Sequence, residues 1–421
     1  MPNLALAVPE ELSSARPGGE LHMLRAPRIT IDAFLETPET ASALEAAFAD
    51  RRMSRAQSSV HAGGIEGALT RYQEALTPNL VVLESGAESG VLCAQLEALA
   101  ELCDPSTKII VVGSVNDVSL FRQLLALGVS EYLVAPVDAV SFIACVARLY
   151  QHGTSEKLAR TVAFVGAKGG VGSSTIAHNV AAILGKLYTC NVILADTDLP
   201  FGTARLGFNM NPAQGIEEAL ESADRIDDIL LERLLMKHDV HLGILAAPAS
   251  LQHAHDMPED SFERLLEVAQ SSVAFVVLDI PHVWTSWTKK MLVAADDIVI
   301  TATPDLASLR NAKNLFEALR QTRANDAPPK LVLNQVGVSG RAEIKPDKFA
   351  AVLQAEALAC VAFDPRTFST AENQGRMLAD VAPKSAACRM LLEVARSIAG
   401  RSLSVNKAKP RSALQRIWGR R

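Results

Sequence analysis

A glycine-rich run, Val165-Gly166-Ala167-Lys168-Gly169-Gly170-Val171-Gly172-Ser173-Ser174-Thr175, lies between a short apolar stretch at 162–165 and an amphipathic one at 175–186. A strand, a turn rich in glycine and then a helix imply a βα unit of a parallel sheet, with an anion cradle at the turn. Glycines let successive backbone N–H groups turn inward, and the helix start adds unpaired donors and the positive end of its dipole. Polyphosphate is the natural guest of such a loop. One position departs from the usual pattern: Ser173 stands where a lysine normally follows the last glycine, while Lys168 sits near the start of the loop.

The rest of the chain repeats the same alternation. Short Val/Ile/Leu runs at 28–35, 80–83, 109–112 and 132–134 read as strands, and amphipathic stretches at 40–50, 65–76, 91–102, 118–127 and 139–150 as helices. A second series has strands at 161–165, 192–195, 242–246, 273–278, 298–302, 330–333 and 360–362, with helices between them, two at 258–271 and 306–323. The fold class is therefore α/β, with two doubly wound parallel sheets in succession. A Pro-, Gly-, Ser- and Glu-rich leader occupies 1–26, the first domain 27–150, a polar linker 151–160, the second domain 161–400 and a basic tail 401–421. No internal repeat relates the two halves.

Composition narrows the function classes. With 49% hydrophobic and 21% charged residues, the 421-residue chain has the balance of a folded soluble protein. No apolar run approaches the roughly 20 residues of a membrane-spanning helix, and the acidic start lacks a signal-peptide layout. Cys93, Cys103, Cys145, Cys190, Cys360 and Cys388 are scattered, which suits free thiols in a reducing cytoplasm and disfavours a cysteine-held cluster. The tail holds Arg401, Lys407, Lys409, Arg411, Arg416, Arg420 and Arg421 and no acid, so a formal net charge of −6 for the whole leaves −13 on the remainder. An acidic body disfavours nucleic acid as a partner.

Three elements from distant parts of the chain converge on one sheet edge. Backbone amides from Gly169 to Ser174, through Gly170, Val171, Gly172 and Ser173, can face a triphosphate. Ser174 falls where a hydroxyl ligates Mg²⁺, with Thr175 beside it. Asp196-Thr197-Asp198 follows one strand and Asp279 ends another, and carboxylates there share the edge with the phosphate loop. Asp198 reads as a functional carboxylate and Asp279 as part of a magnesium shell. His253 and His255 form no ligand set without a third donor, and His178 and His282 read as structural.

These residues resemble the deviant Walker A class of P-loop proteins, the MinD/ParA-like ATPases, over about 160–400 of the chain. Lys168-Gly169-Gly170-Val171-Gly172 matches the family's loop, whose early lysine reaches across a nucleotide-sandwich dimer; Ser173 does not match. The resemblance implies ATP and Mg²⁺ as cofactors, Lys168 and Asp198 as the catalytic pair, Asp279 as the second switch carboxylate, and Asn334 as the residue that reads adenine. The phrase Ala195-Asp-Thr-Asp-Leu-Pro-Phe-Gly-Thr203, the loop and an upstream α/β domain together resemble the narrower CpaE/TadZ pilus-assembly branch. That branch implies a homodimer at a cell pole or the inner-membrane periphery, serving a Flp/Tad secretion ATPase or its inner-membrane platform. A rival implication is a cycling ATPase for membrane positioning or DNA partitioning.

The first domain resembles a response-regulator receiver that has lost its chemistry. Glu84 follows the strand where an acceptor aspartate is expected, and Ala135 replaces the lysine before Pro136. Dimerisation or localisation is the role this implies. In the tail, Leu414, Ile417 and Trp418 beside Arg416, Arg420 and Arg421 suggest peripheral contact with anionic lipid or a solvated end. With the lysine at position 173 absent, the expectation is nucleotide binding with slow turnover at most.

Overall fold

The computed structural model describes residues 25–27, 29–150, 159–210, 215–222, 225–248 and 259–400. Most of the leader and linker, His253, His255 and the whole basic tail lie outside the described residues. The chain divides into two compact units, residues 1–156 and 157–421.

In the first unit β1 (Thr30–Leu35), β2 (Gln57–Ala62), β3 (Leu80–Glu84), β4 (Lys108–Gly113) and β5 (Glu131–Val134) form a parallel sheet in the order β2-β1-β3-β4-β5. The inner strands β3 (LVVLE) and β4 (KIIVVG) are nearly continuous apolar runs because helices cover both faces of the sheet. Helices Pro38–Phe48 and Ala139–Tyr150 bring Leu44, Phe142 and Val146 to one face. Helices Gly64–Tyr72, Ser89–Ala100 and Val118–Ala126 bring Ile65, Leu96 and Leu124 to the other. Strand β2 is absent from the sequence expectation. Its residues, QSSVHA, are mostly exposed and polar, and it is held at the sheet edge by parallel pairing from Thr30↔Gln57 to Leu35↔Ala62.

The second unit contains β6 (Arg160–Gly166), β7 (Val192–Asp196), β8 (Met236–Lys237), β9 (Leu242–Leu245), β10 (Phe275–Ile280), β11 (Asp297–Ala302), β12 (Lys330–Val336) and β13 (Ala357–Ala362). They line up as β13-β12-β11-β6-β10-β7-β9-β8, parallel except for the two-residue β8, which the sequence did not signal and which runs antiparallel to β9. Helices Ser173–Tyr188 and Ala386–Ala399 pack Val180, Leu184, Leu391 and Ile398 on one face. Helices Glu259–Ser272, Ser286–Ala294 and Leu306–Thr322 pack Leu265, Leu292 and Phe316 on the other. From β6 the chain crosses β10 to reach β7, and from β10 it crosses β6 to reach β11. Loops leaving β6 and β10 therefore depart in opposite directions, and the crevice between them is where ligands of such sheets sit.

Candidate functional site

The loop between β6 and the helix Ser173–Tyr188 is built around two glycines with left-handed backbone, Gly170 (φ 79°) and Gly172 (φ 84°). A side chain at 172 would be strained and would also place its Cβ 2.6 Å from Asn334 Nδ2. At Gly169 and Gly170 a Cβ would meet nothing within 4 Å, so this part of the loop faces open space. Among the described residues, no protein acceptor takes the backbone N–H groups of 169–175. The Ser173 hydroxyl, nearly buried at the first helical position, likewise has no hydrogen-bond partner. A row of unpaired donors at a helix start, open on one side, fits a polyphosphate. Ser174 is half-buried and Thr175 exposed at the same helix start.

Beneath the loop lie three buried side chains from three elements. Asp196 ends β7 and Asp279 lies near the end of β10, opposite Asp196 in the strand register. His178, from the helix, places Nε2 3.2 Å from Asp279 Oδ2, close but without hydrogen-bond alignment. Burial, then the Asp279 carboxylate, raise the Asp196 carboxyl, against the opposing effects of His178 and two backbone donors. Those donors are Ala204 N–H to Oδ2 (2.9 Å) and Asp198 N–H to Oδ1 (3.3 Å). Asp196 thus shapes the turn that carries Asp198. Asp198 itself is only half-buried and caps the same turn through Phe201 N–H (3.1 Å); desolvation raises its carboxyl too, with Asp279 adding to the rise. Sequence reading chose Asp198 over Asp196 and set His178 aside as structural. The spacing of Ser174 and His178, four residues apart on one helix, places both on one face and was the available signal.

Lys168 does not extend freely from the loop. Its Nζ lies 2.8 Å from Asp305 Oδ2 of the same chain. Asp305 also accepts from Thr303 Oγ1 (2.6 Å) and caps the helix Leu306–Thr322 through Ser308 N–H (2.9 Å). Burial works against ionisation of this carboxyl, but the hydrogen bonds from Lys168 and Thr303 outweigh it and hold it at about 2. Asn334 is buried at the far side of the loop and donates through Nδ2 to Val171 O (2.8 Å), and neighbouring Gln335 donates to Gly170 O (3.0 Å). Here the Asn334 amide braces the loop, so a contact with adenine requires that bond to be exchanged. His282 Nδ1 lies 2.8 Å from Gly166 O, in keeping with the structural reading of that residue.

Asparagine preserves the cap at 305 but removes the charge, so Asp305→Asn isolates the ion pair. Both partners are partly exposed, and such pairs contribute about 0–1 kcal/mol. We expect unchanged folding and nucleotide binding that is about threefold tighter, as released Lys168 becomes available. Equilibrium titration with a fluorescent ATP analogue checks this; unchanged affinity would show that Lys168 does not contact the bound nucleotide.

The first unit has its own cavity of about 460 Å³, bordered by Glu36, Thr37, Thr40, Glu84, Ser114 and Ala135. Glu84 is buried there and its carboxylate is already fully engaged. It accepts from Glu36 N–H (2.8 Å), Thr37 N–H (2.9 Å), Thr37 Oγ1 (2.6 Å) and Thr40 Oγ1 (2.6 Å). Burial would raise this carboxyl, yet the hydroxyl and amide donors prevail and hold it below its ordinary value. Glu84 therefore acts as a fixed anion at the start of the helix Pro38–Phe48.

The profile of the AAA domain matches residues 159–331. The septum site-determining protein MinD of Bacillus subtilis is 25% identical over 259 residues, which is 58% of this chain and 91% of that protein. The structure of septum site-determining protein MinD complexed with Mg-ADP, from Pyrococcus horikoshii, covers 57% of this chain and 96% of that one at 19% identity and TM-score 0.51, a likeness of fold. A pilus assembly protein CpaE structure from Caulobacter crescentus is 48% identical, covering 30% of this chain and 97% of that one, with TM-score 0.30.

Proposed function

Starting from a second unit that is a MinD/ParA-like P-loop NTPase domain, we propose that the chain is an ATP- and Mg²⁺-binding assembly factor that works as a nucleotide-controlled homodimer with weak or no hydrolysis. We place it in the cytoplasm, at a cell pole or the inner-membrane periphery, with the secretion ATPase or inner-membrane platform of a Flp/Tad-type pilus system as partner. The carrying observation is the row of unpaired amides at 169–175, open at Gly169 and Gly170, with a serine hydroxyl in place of an ammonium at 173. The loop can bind phosphate through its backbone, while charge developing during phosphoryl transfer lacks one neutralising contact. When bound, Mg²⁺ supplies positive charge to the phosphate oxygens, and Ser174, Asp198 and Asp279 are the residues that would hold it, directly or through water. The pilus assignment is supported by the sequence from Ala195 to Thr203 and by a receiver-like first unit whose Glu84 is engaged internally.

A dimer facing through the loop edge is supported by apolar side chains there. Phe201, after β7, is 72% exposed; Trp284, after β10, is 52%; Leu306, after β11, is 74%. Exposed aromatic and aliphatic side chains of this kind mark association surfaces. A second reading, a cycling ATPase for membrane positioning or DNA partitioning, is supported by Asp198, a half-buried carboxylate in the turn after β7, within reach of water.

The test is ATP binding, turnover and oligomeric state of the purified chain with Mg²⁺, beside Lys168→Ala. The expected result is tight binding, a dimer on ATP addition and little phosphate release, with dimer and binding both lost in Lys168→Ala. Brisk phosphate release, with ATP-dependent sedimentation on liposomes or retention on DNA, would favour the cycling reading. Absence of binding would overturn both.

A further inference from the structure

We propose that His178, Asp196 and Asp279 form a binding site for one transition-metal dication of the Zn²⁺, Co²⁺ or Mn²⁺ class, filled without nucleotide. One donor atom from each of the three residues lies within 4.8 Å of the other two, and all three side chains are buried. His178 Nε2 carries the inference: it is buried, it lies 3.2 Å from Asp279 Oδ2, and it makes no hydrogen bond. A buried ring nitrogen left without a partner is costly unless a ligand takes its lone pair.

The surroundings hold the donors in place. Asp196 is oriented by Ala204 and Asp198 N–H groups, as a metal-binding carboxylate is by outer partners. The His178 ring rests on Phe208, with centroids 5.5 Å apart. The donor chemistry selects the ion. Mg²⁺ prefers oxygen ligands and retains its waters, whereas an imidazole beside two carboxylates suits borderline dications. Asp279 is shared with the magnesium shell proposed above, so the sites adjoin, but this one needs no phosphate to complete it.

The experiment uses the full chain, stripped with chelator and titrated with Co²⁺ and Zn²⁺ in the absence of nucleotide, read by Co²⁺ visible absorption and by metal analysis after gel filtration. We expect one equivalent bound, at least about tenfold weaker binding in His178→Ala and Asp196→Asn, and no change in His61→Gln, a histidine of the first unit. The visible Co²⁺ bands provide a readout that a merely structural role would not move: they shift or vanish in a folded His178→Ala chain, where the imidazole has left the coordination shell. No stoichiometric uptake by the parent chain, or equal uptake by a folded His178→Ala chain, would each overturn the proposal.

Discussion

Ser173→Lys is expected to raise the rate of ATP turnover about a hundredfold, the largest gain of any single change proposed for this chain. A preorganised charge on oxygens where negative charge develops is worth about 3 kcal/mol in the transition state, and its loss costs a hundredfold or more. Ser173 opens the helix at the loop's end, and its hydroxyl is engaged by nothing in the protein. A lysine there displaces no hydrogen bond. The check is single-turnover phosphate release with Mg-ATP, compared with equilibrium binding of the same variant. A gain confined to turnover supports a chain built to hold ATP. Parent turnover already as fast as that of the lysine variant, with binding intact in both, would show that another group supplies the charge.

The second large effect lies in the first unit and concerns stability. Glu84→Ala removes the acceptor of four hydrogen bonds, two from backbone N–H groups and two from hydroxyls. Hydrogen bonds to a charged group contribute about 1.5–3 kcal/mol each, but the adjoining cavity admits water to the freed donors. A net loss of about 3 kcal/mol is expected, which for a unit of this size lowers its melting temperature by about 10 °C. Glu84→Asp falls short by one methylene and loses part of the same network. The pH dependence has a definite sign. A carboxyl held below its unfolded value stabilises the fold above the unfolded pKa of about 4.3 and loses that contribution as pH falls through the folded value. Calorimetry of the full chain from pH 7 downward checks both points; an unchanged first-unit transition in Glu84→Ala would refute the anchoring role.

What was legible in the sequence follows from periodicity and local chemistry. The inner strands of both sheets were readable because burial on two faces leaves unbroken apolar runs such as LVVLE and FVVLDI. Strand β2 was not, since an edge strand with polar residues leaves no apolar signal, and β8 is too short to leave any. The place of the glycine-rich loop before its helix, and of Asp198 and Asp279 at strand ends on the same sheet edge, was legible from strand–loop–helix order. The pairing of Lys168 with Asp305 and the bracing of the loop by Asn334 were not, because they join positions far apart in the chain through tertiary packing alone. Glu84 was legible as a departure from an acceptor aspartate, but its donors on the loop after β1 were not.

The margins of the eight-stranded sheet have a consequence for how copies of the protein meet. On one side the sheet ends in β8, only two residues long and reversed in direction. On the other it ends in β13, whose pairing with β12 shifts register twice. Neither margin offers the long, regular row of free amides and carbonyls on which another chain could add a strand. Among the described residues, a strand added from another copy would meet a two-residue margin at β8 or a strand of irregular register at β13. A second copy that joined this unit would therefore meet it through side chains, such as the exposed Phe201, Trp284 and Leu306, and not by lengthening the sheet.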